Sequence, residues 1–245
     1  MVKKRNSKWL FSIFFVASLL LFLYLLSMPK VSKLKKEYPK KTALMEYREK
    51  ESQEKRKKFE VHQIRIPLSR ISPYLIKAVL IAEDDKFWGH EGFDYEAIQK
   101  AIEKDIKAGR LRYGGSTISQ QLARNLYLSP QKNLFRKVRE AIITWRMEET
   151  LSKKRILELY LNVVEWGDGI FGAEAASRNY FGKPCSELTP EESARLAAVL
   201  PNPRKYSPAG NQQYVTHRAD LIYSIMIRRG IVVPEYEEAA EGSNL

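Results

Sequence analysis

Residues 75–85 read LIKAVLIAEDD. Its first eight residues are apolar on nearly every side, which describes a helix buried in a core and not one laid on a surface. The run then meets Glu83, Asp84 and Asp85, three carboxylates at the helix end where the macrodipole is negative and acids are disfavoured. Such a placement costs stability unless something other than folding selects it. Glu83 stands four residues beyond Val79, so it extends one side of the apolar helix. Desolvation there would raise its pKa toward the range useful to a general base. A solvated acidic turn is the competing reading.

Helix signals continue on the C-terminal side. Asp94 can cap a helix that shows Ala97, Ile98, Ala101, Ile102 and Ile106 before stopping at Gly109. Leu134, Val138, Ala141, Ile142 and Trp145 form an apolar stripe on another helix. Thr189, Pro190, Glu191 and Glu192 make a capping box with Pro at the first helical position, leading into SARLAAVL and ending at Pro201. A last helix spans about Gln213 to Arg229, with Gly230 after it. No run of alternating strands stands out, so the expected fold class is all-α, mainly helical. With 245 residues, 44% of them apolar, the chain can hold one well-buried domain plus an appendage. That domain is placed at residues 61–230, with a C-terminal tail at 231–245. Cys185 is the only cysteine, which rules out an intrachain disulfide and leaves it as a packing residue.

Between Asp105 and Glu140 lie 34 residues with eight Lys or Arg and no acid: Lys107, Arg110, Arg112, Arg124, Lys132, Arg136, Lys137 and Arg139. A local positive field of this kind suits a polyanion such as a pyrophosphate. Within it, GGSTISQQLARN (residues 114–125) reads as a Gly-Gly turn entering a helix at Ser116 or Thr117, with Thr117 and Gln120 spaced as a capping box. Free backbone N–H groups at such an end bind phosphate readily. Thr117, Gln121 and Arg124 fall on one side of that helix, and Ile118, Leu122 and Leu126 on another. A capped surface helix with a solvated basic face is the alternative. Glu140 closes the basic stretch one turn after Arg136, either as a surface ion pair or as a second carboxylate facing a cleft among cations.

The formal net charge of +13 suggests nucleic acid at first. Residues 1–60, however, carry 16 Lys and Arg against 6 Asp and Glu, whereas residues 61–245 carry 26 against 23. The expected domain is thus nearly neutral, so no nucleic-acid partner is expected, and the basic excess suits a collar on anionic lipid headgroups. Residues 9–28 run 20 positions without a charge, the length of a single transmembrane helix, with a cleavable signal peptide as the competing reading. This gives a tail at 1–8, a span at 9–28 and a charged, partly helical linker at 29–60. Lysines flank the span on both sides, so charge alone does not orient it.

The order of motifs resembles the peptidoglycan glycosyltransferase family, whose members have a lysozyme-like helical fold. EDDKFWGHEGFD from Glu83 to Asp94 matches the first family motif, with Asp84, Phe87, His90, Gly92 and Asp94 as its supporting residues. GGSTISQQ matches the second, RKVRE ending at Glu140 the third, and KKRILELYLN with Asn162 is similar to the fourth. The resemblance implies a glycosyltransferase domain behind an N-terminal membrane anchor, in the bacterial cytoplasmic (inner) membrane with the domain on the periplasmic side. Glu83 would be the catalytic base and Glu140 the second essential carboxylate. Ser116, Thr117, Gln121, Arg124, Asn125, Lys132 and Arg136 would face the sugars and pyrophosphate of the substrate. The family commonly has Lys where this chain has Arg124, and Arg where it has Lys132, which changes the hydrogen-bonding fork and keeps the charge.

The implied reaction joins lipid-linked disaccharide (lipid II) to a nascent glycan chain, inverting the anomeric carbon and releasing undecaprenyl pyrophosphate. The implied surroundings are the bilayer and cell-wall synthesis or division proteins. No cofactor is required for that chemistry, although a divalent cation (Mg or Mn) could assist near the acids, and no metal ligands are assigned. His62 and His217 read as surface or packing residues. Ser-x-x-Lys occurs at Ser27, Ser32, Ser52 and Ser129, but no Lys-Thr-Gly follows, so a monofunctional enzyme is expected. The rivals are a lysozyme-like glycan hydrolase and a non-catalytic anchored protein that binds wall precursors.

Overall fold

The computed structural model describes residues 7–26, 28–108, 115–130 and 134–233. Its helices are α1 (Ser7–Leu26), α2 (Ala43–Glu54), α3 (Pro73–Glu83), α4 (Tyr95–Ala108), α5 (Ile118–Tyr127), α6 (Leu134–Thr150), α7 (Lys153–Val163), α8 (Ala173–Phe181), α9 (Pro190–Val199) and α10 (Gln213–Arg228). Three short strands, β1 (His62–Gln63), β2 (Glu165–Gly167) and β3 (Ile170–Phe171), form a sheet in the order β1-β3-β2. β3 runs parallel to β1 and antiparallel to β2. The mainly helical class holds. Strands of two or three residues are too short for alternation to mark them in a sequence.

The helix boundaries follow the local chemistry. Thr117 and Gln120 close a capping box at the start of α5, and Thr189 and Glu192 close another at α9. Asp94 Oδ1 accepts from the Ala97 N–H at 2.8 Å, which opens α4, and Gly230 leaves α10 with φ +65°. α3 starts on Pro73 and packs against α9 and α10, burying Leu75, Ala78, Val79 and Leu80. Ile76, Ile81 and Ala82 are only partly covered, so the helix is buried on one side and not all round. α7 lies deepest, with Ile156, Leu157, Leu159, Tyr160, Leu161 and Val163 all fully buried. Cys185 sits in the same core, where burial pushes its thiol up to about 12.

Two apolar stripes do not face the core. On α6, Val138 and Trp145 are 49% and 58% exposed, while Glu140, Ile143, Thr144 and Met147 are buried. Those four also recur at helical spacing, but a carboxylate and a hydroxyl among them hide the face from a hydropathy pattern. On α4, Ile102 and Ile106 are likewise exposed.

The stretch expected as a charged linker at 29–60 is packed against the domain. Val31 and Leu34 are buried in a 3-10 turn, and Met45 is buried on α2, which lies against α5. Arg48 pairs with Glu165 at 2.8 Å, Tyr38 donates to Glu158 at 2.7 Å, and Arg155 Nε donates to the Leu34 carbonyl at 2.8 Å. The composition reads as a spacer because the charged groups that tie it down have partners more than a hundred residues away. The span expected at 9–28 lies partly outside the described residues. Its backbone is helical over Ser7–Leu26, and Trp9, Phe11, Phe14 and Phe15 are exposed. Among the described residues no helix is long and apolar enough to cross a membrane.

Candidate active site

Glu83 is the last residue of α3, and its side chain is 13% exposed. Gln121, one turn into α5, donates from Nε2 to Glu83 Oε2 at 2.9 Å. Its carbonyl oxygen in turn accepts from the buried Tyr160 hydroxyl at 3.1 Å. Arg218 of α10 donates to the Ala82 carbonyl at 3.2 Å and brings its guanidinium to 3.6 Å from Glu83 Oε1. Burial raises the Glu83 pKa above the usual carboxylate range. The Gln121 hydrogen bond and the charges of Arg218 and Arg124 offset this in part, while Asp84 adds to it. A desolvated carboxyl held among neutralising groups, at the edge of a cleft, can accept a proton. Arg218 was invisible to sequence reasoning, as it is one of several arginines on a helix far along the chain.

Asp84 is tied into the fold on both of its oxygens. It is 6% exposed, accepts from the Ile118 N–H at 2.9 Å through Oδ2, and meets His90 Nε2 at 2.9 Å through Oδ1. His90 Nδ1 accepts from the Gly92 N–H at 3.0 Å, so the ring proton sits on Nε2 and is donated to Asp84. The Thr117 hydroxyl donates to the Gly92 carbonyl at 2.7 Å. Gly92 has φ +89°, and a Cβ there would come within 2.9 Å of Glu148 Cγ and Thr144 Cγ2, so only glycine fits the turn. Phe87 is fully buried, with the Lys153 ammonium 4.6 Å from its ring centre. Asp84, Phe87, His90, Gly92 and Asp94 together fold residues 84–94 onto the start of α5. This narrows one expectation: of the N–H groups at that helix end, those of Thr117, Ile118 and Gln120 are already taken. Ile118 donates to Asp84, Thr117 to Gln120 Oε1, and Gln120 to Thr117 Oγ1.

A cleft of about 320 Å³ opens beside Glu83, and its other walls include both acids and bases, Asp85, Asp94 and Glu96 with Lys86 and Lys100, as well as Ser116 and Thr117. Glu140 is fully buried on α6, held by Arg136 Nη1 at 2.7 Å and by Lys137. The Lys137 ammonium lies 3.5 Å from Ser116 Oγ, at the cleft wall. Glu140 therefore anchors two cations from beneath and does not itself line the cleft. Arg124, one turn beyond Gln121, extends its positive field to Glu83 and Tyr160. Asn125 is buried in α5, and Lys132 lies outside the described residues. Asn162 does not line the cleft. It is spent on the backbone, accepting from Ile66 N at 2.9 Å and donating to the Ile66 and Glu158 carbonyls. Sequence reasoning also passed over Glu148, which accepts from Ser119 and pairs with Lys153 at 2.8 Å. Among the described residues no three His, Cys, Asp or Glu side chains are grouped to hold a metal ion.

The transglycosylase family model matches residues 49–227. A biosynthetic peptidoglycan transglycosylase of Azoarcus sp. (strain BH72) is 53% identical over 184 residues, covering 75% of this chain and 79% of that protein. The protein of the same name from Aromatoleum aromaticum is 52% identical over 190 residues, covering 76% and 83% of the two chains. That of Nitrosospira multiformis is 49% identical over 193 residues, covering 79% and 84%.

Proposed function

The chain belongs to the transglycosylase family and is a peptidoglycan glycosyltransferase, and from that premise we propose that Glu83 is its general base. The observation that carries this reading is a carboxyl raised by burial at the edge of a cleft, with Gln121 and Arg218 fixing its two oxygens. The 4-hydroxyl of an incoming lipid-linked disaccharide gives its proton to Glu83 as the oxygen bonds to the anomeric carbon of the growing chain. The bond from that carbon to the pyrophosphate breaks, and undecaprenyl pyrophosphate departs with the electron pair. Attack opposite the leaving group inverts the centre. Pyrophosphate leaves well without protonation and needs countercharge.

Arg124, Lys132, Arg136 and Lys137 supply that countercharge, and Glu140 positions the last two. Ser116 and Thr117 line the cleft, and Gln121 bears on it through Glu83. A divalent cation fits poorly as a resident group. Asp84 is committed to His90 and Ile118, Asp85 to Arg229, and Glu83 to Gln121. No step is therefore routed through a metal. Residues 9–28 anchor the chain in the cytoplasmic membrane with the domain outside, a reading supported by their uncharged length and by substrates that both carry lipid tails.

The test is Glu83→Gln in the full-length chain, assayed in detergent for polymer formed from lipid-linked disaccharide. Turnover should fall by about two to four orders of magnitude, because the amide keeps the shape and cannot take the proton. Unchanged turnover in a folded variant would overturn the assignment.

A further inference from the structure

Tyr160 is fully buried on α7, and its hydroxyl donates to the Gln121 amide oxygen at 3.1 Å. The other end of the same amide donates to Glu83 Oε2 at 2.9 Å. An amide placed between a hydroxyl and a carboxyl can face either way, and its direction decides what the carboxyl meets. An ionised carboxylate only accepts, so it needs the NH2 end of Gln121. The amide oxygen must then point at Tyr160, which has to donate. If Glu83 is protonated it can donate to the amide oxygen, but only after Gln121 turns over. Tyr160 would then have to accept from the NH2 group, leaving its own buried proton without the acceptor it has now.

We propose that Tyr160 is a positioning residue for the glycosyl transfer, acting through Gln121 to hold the amide with its NH2 group toward Glu83 and so to favour the ionised, proton-accepting form of that side chain. The proposal rests on the reading of Glu83 as base. It gives a function to a tyrosine that packing alone would not distinguish from phenylalanine. Gln121 becomes the intermediate member of a relay in addition to a substrate contact.

The other groups that bear on Glu83 are Arg218 from α10, Arg124 from α5 and Asp84 beside it. α9, which packs on α3, turns its charges elsewhere: Arg195 to the Pro208 and Gly210 carbonyls, Glu192 to Lys183, and Glu191 to Tyr223 and Thr189. The Tyr160 hydroxyl donates to Gln121 and not to any of these groups, so Tyr160→Phe removes the relay and no charge. Without that hydroxyl, Gln121 is free to turn its oxygen toward Glu83, and the protonated carboxyl gains. Losing a donor to the charged form raises the pKa of a carboxyl that burial has already raised.

The experiment compares the full-length protein with Tyr160→Phe, Gln121→Leu, the double variant and Glu83→Gln. Initial rates on lipid-linked disaccharide in detergent are taken across pH. In Tyr160→Phe the acid limb of kcat should move to higher pH by about one unit, which lowers the rate about tenfold on that limb. KM should stay within about twofold, and the rate on the alkaline plateau should be nearly kept. The double variant should match Gln121→Leu alone, because the hydroxyl acts only through the amide. An unmoved limb in folded Tyr160→Phe, or additive effects in the double variant, would overturn the proposal. Should Tyr160→Phe fail to fold, Gln121→Leu reads the same link, and an unmoved limb there would overturn it equally. Wild-type turnover in Glu83→Gln would instead overturn the reading of the base itself.

Discussion

The two carboxylates of the site should answer the same substitution with opposite changes in stability. Glu140 is fully buried, with Arg136 15% exposed and Lys137 48% exposed around it. Removing one partner of a buried ion pair costs about 3–5 kcal/mol, because it strands the other charge. Half-exposed Lys137 can recover hydration, and Gln keeps one oxygen for Arg136, so Glu140→Gln should cost about 2–3 kcal/mol. For a domain of this size that is a fall in Tm of about 4–12 °C. Glu83 is the reverse case. Burial holds its pKa above the unfolded value, so the folded state prefers the protonated form. The stability this gives is complete below the unfolded pKa and is lost as pH rises through the folded one. At neutral pH the ionised group is a burden, so Glu83→Gln should raise Tm. The gain should disappear near pH 4, at about the unfolded pKa. Thermal unfolding followed by circular dichroism in detergent, at neutral pH and at about pH 4, reads both variants. Equal losses in the two, or a neutral-pH loss in Glu83→Gln, would refute the division into a strained proton acceptor and a buried anchor.

Other outcomes follow from single contacts. Asp84→Asn keeps one acceptor for two donors, Ile118 N and His90 Nε2, and should lower stability by about 1–3 kcal/mol in urea unfolding. Arg124→Ala should weaken use of the lipid-linked donor by about ten- to a hundredfold in rates measured against donor concentration, the worth of a lost charge-assisted contact. Arg124→Lys should keep most of the activity, because the charge stays and only the hydrogen-bonding fork changes. Deleting residues 1–28 should leave polymerisation intact in detergent and slow it on vesicles, since the anchor supplies local concentration and no reacting group. Full activity of the truncated form on vesicles would refute that role.

Much of the fold was legible because local chemistry and tertiary packing agree. Thr117 with Gln120, Thr189 with Glu192, Asp94 and Gly230 each begin or end a helix where their side chains or backbone freedom require it. What stayed hidden depends on partners distant in the chain. Arg48, Tyr38 and Arg155 turn a lysine- and glutamate-rich stretch into a docked segment, and their partners lie near residues 34, 158 and 165. The buried face of α6 was concealed because Glu140 and Thr144 belong to it. Hydropathy scores a buried carboxylate as surface, although two cations from the preceding turn make it an interior residue.

The candidate site shows the same division. Glu83 was legible from its conflict with the helix dipole, whereas Arg218 and Tyr160, which steady it, had no local mark. The start of α5 carries the argument furthest. A helix N-terminus can stabilise an anion, and Gly-Gly followed by a capping box advertises one there. Asp84 is that anion, bound to the Ile118 N–H and tied down by His90. That leaves side chains as the proposed source of countercharge for the pyrophosphate. Arg136 and Lys137 would swing freely on long stems if unsupported, so ordering them at the moment of leaving-group departure would cost entropy. Glu140 holds both beforehand and leaves the trio with one net positive charge. A buried acid among bases is thus what a preorganised site for a departing polyanion requires.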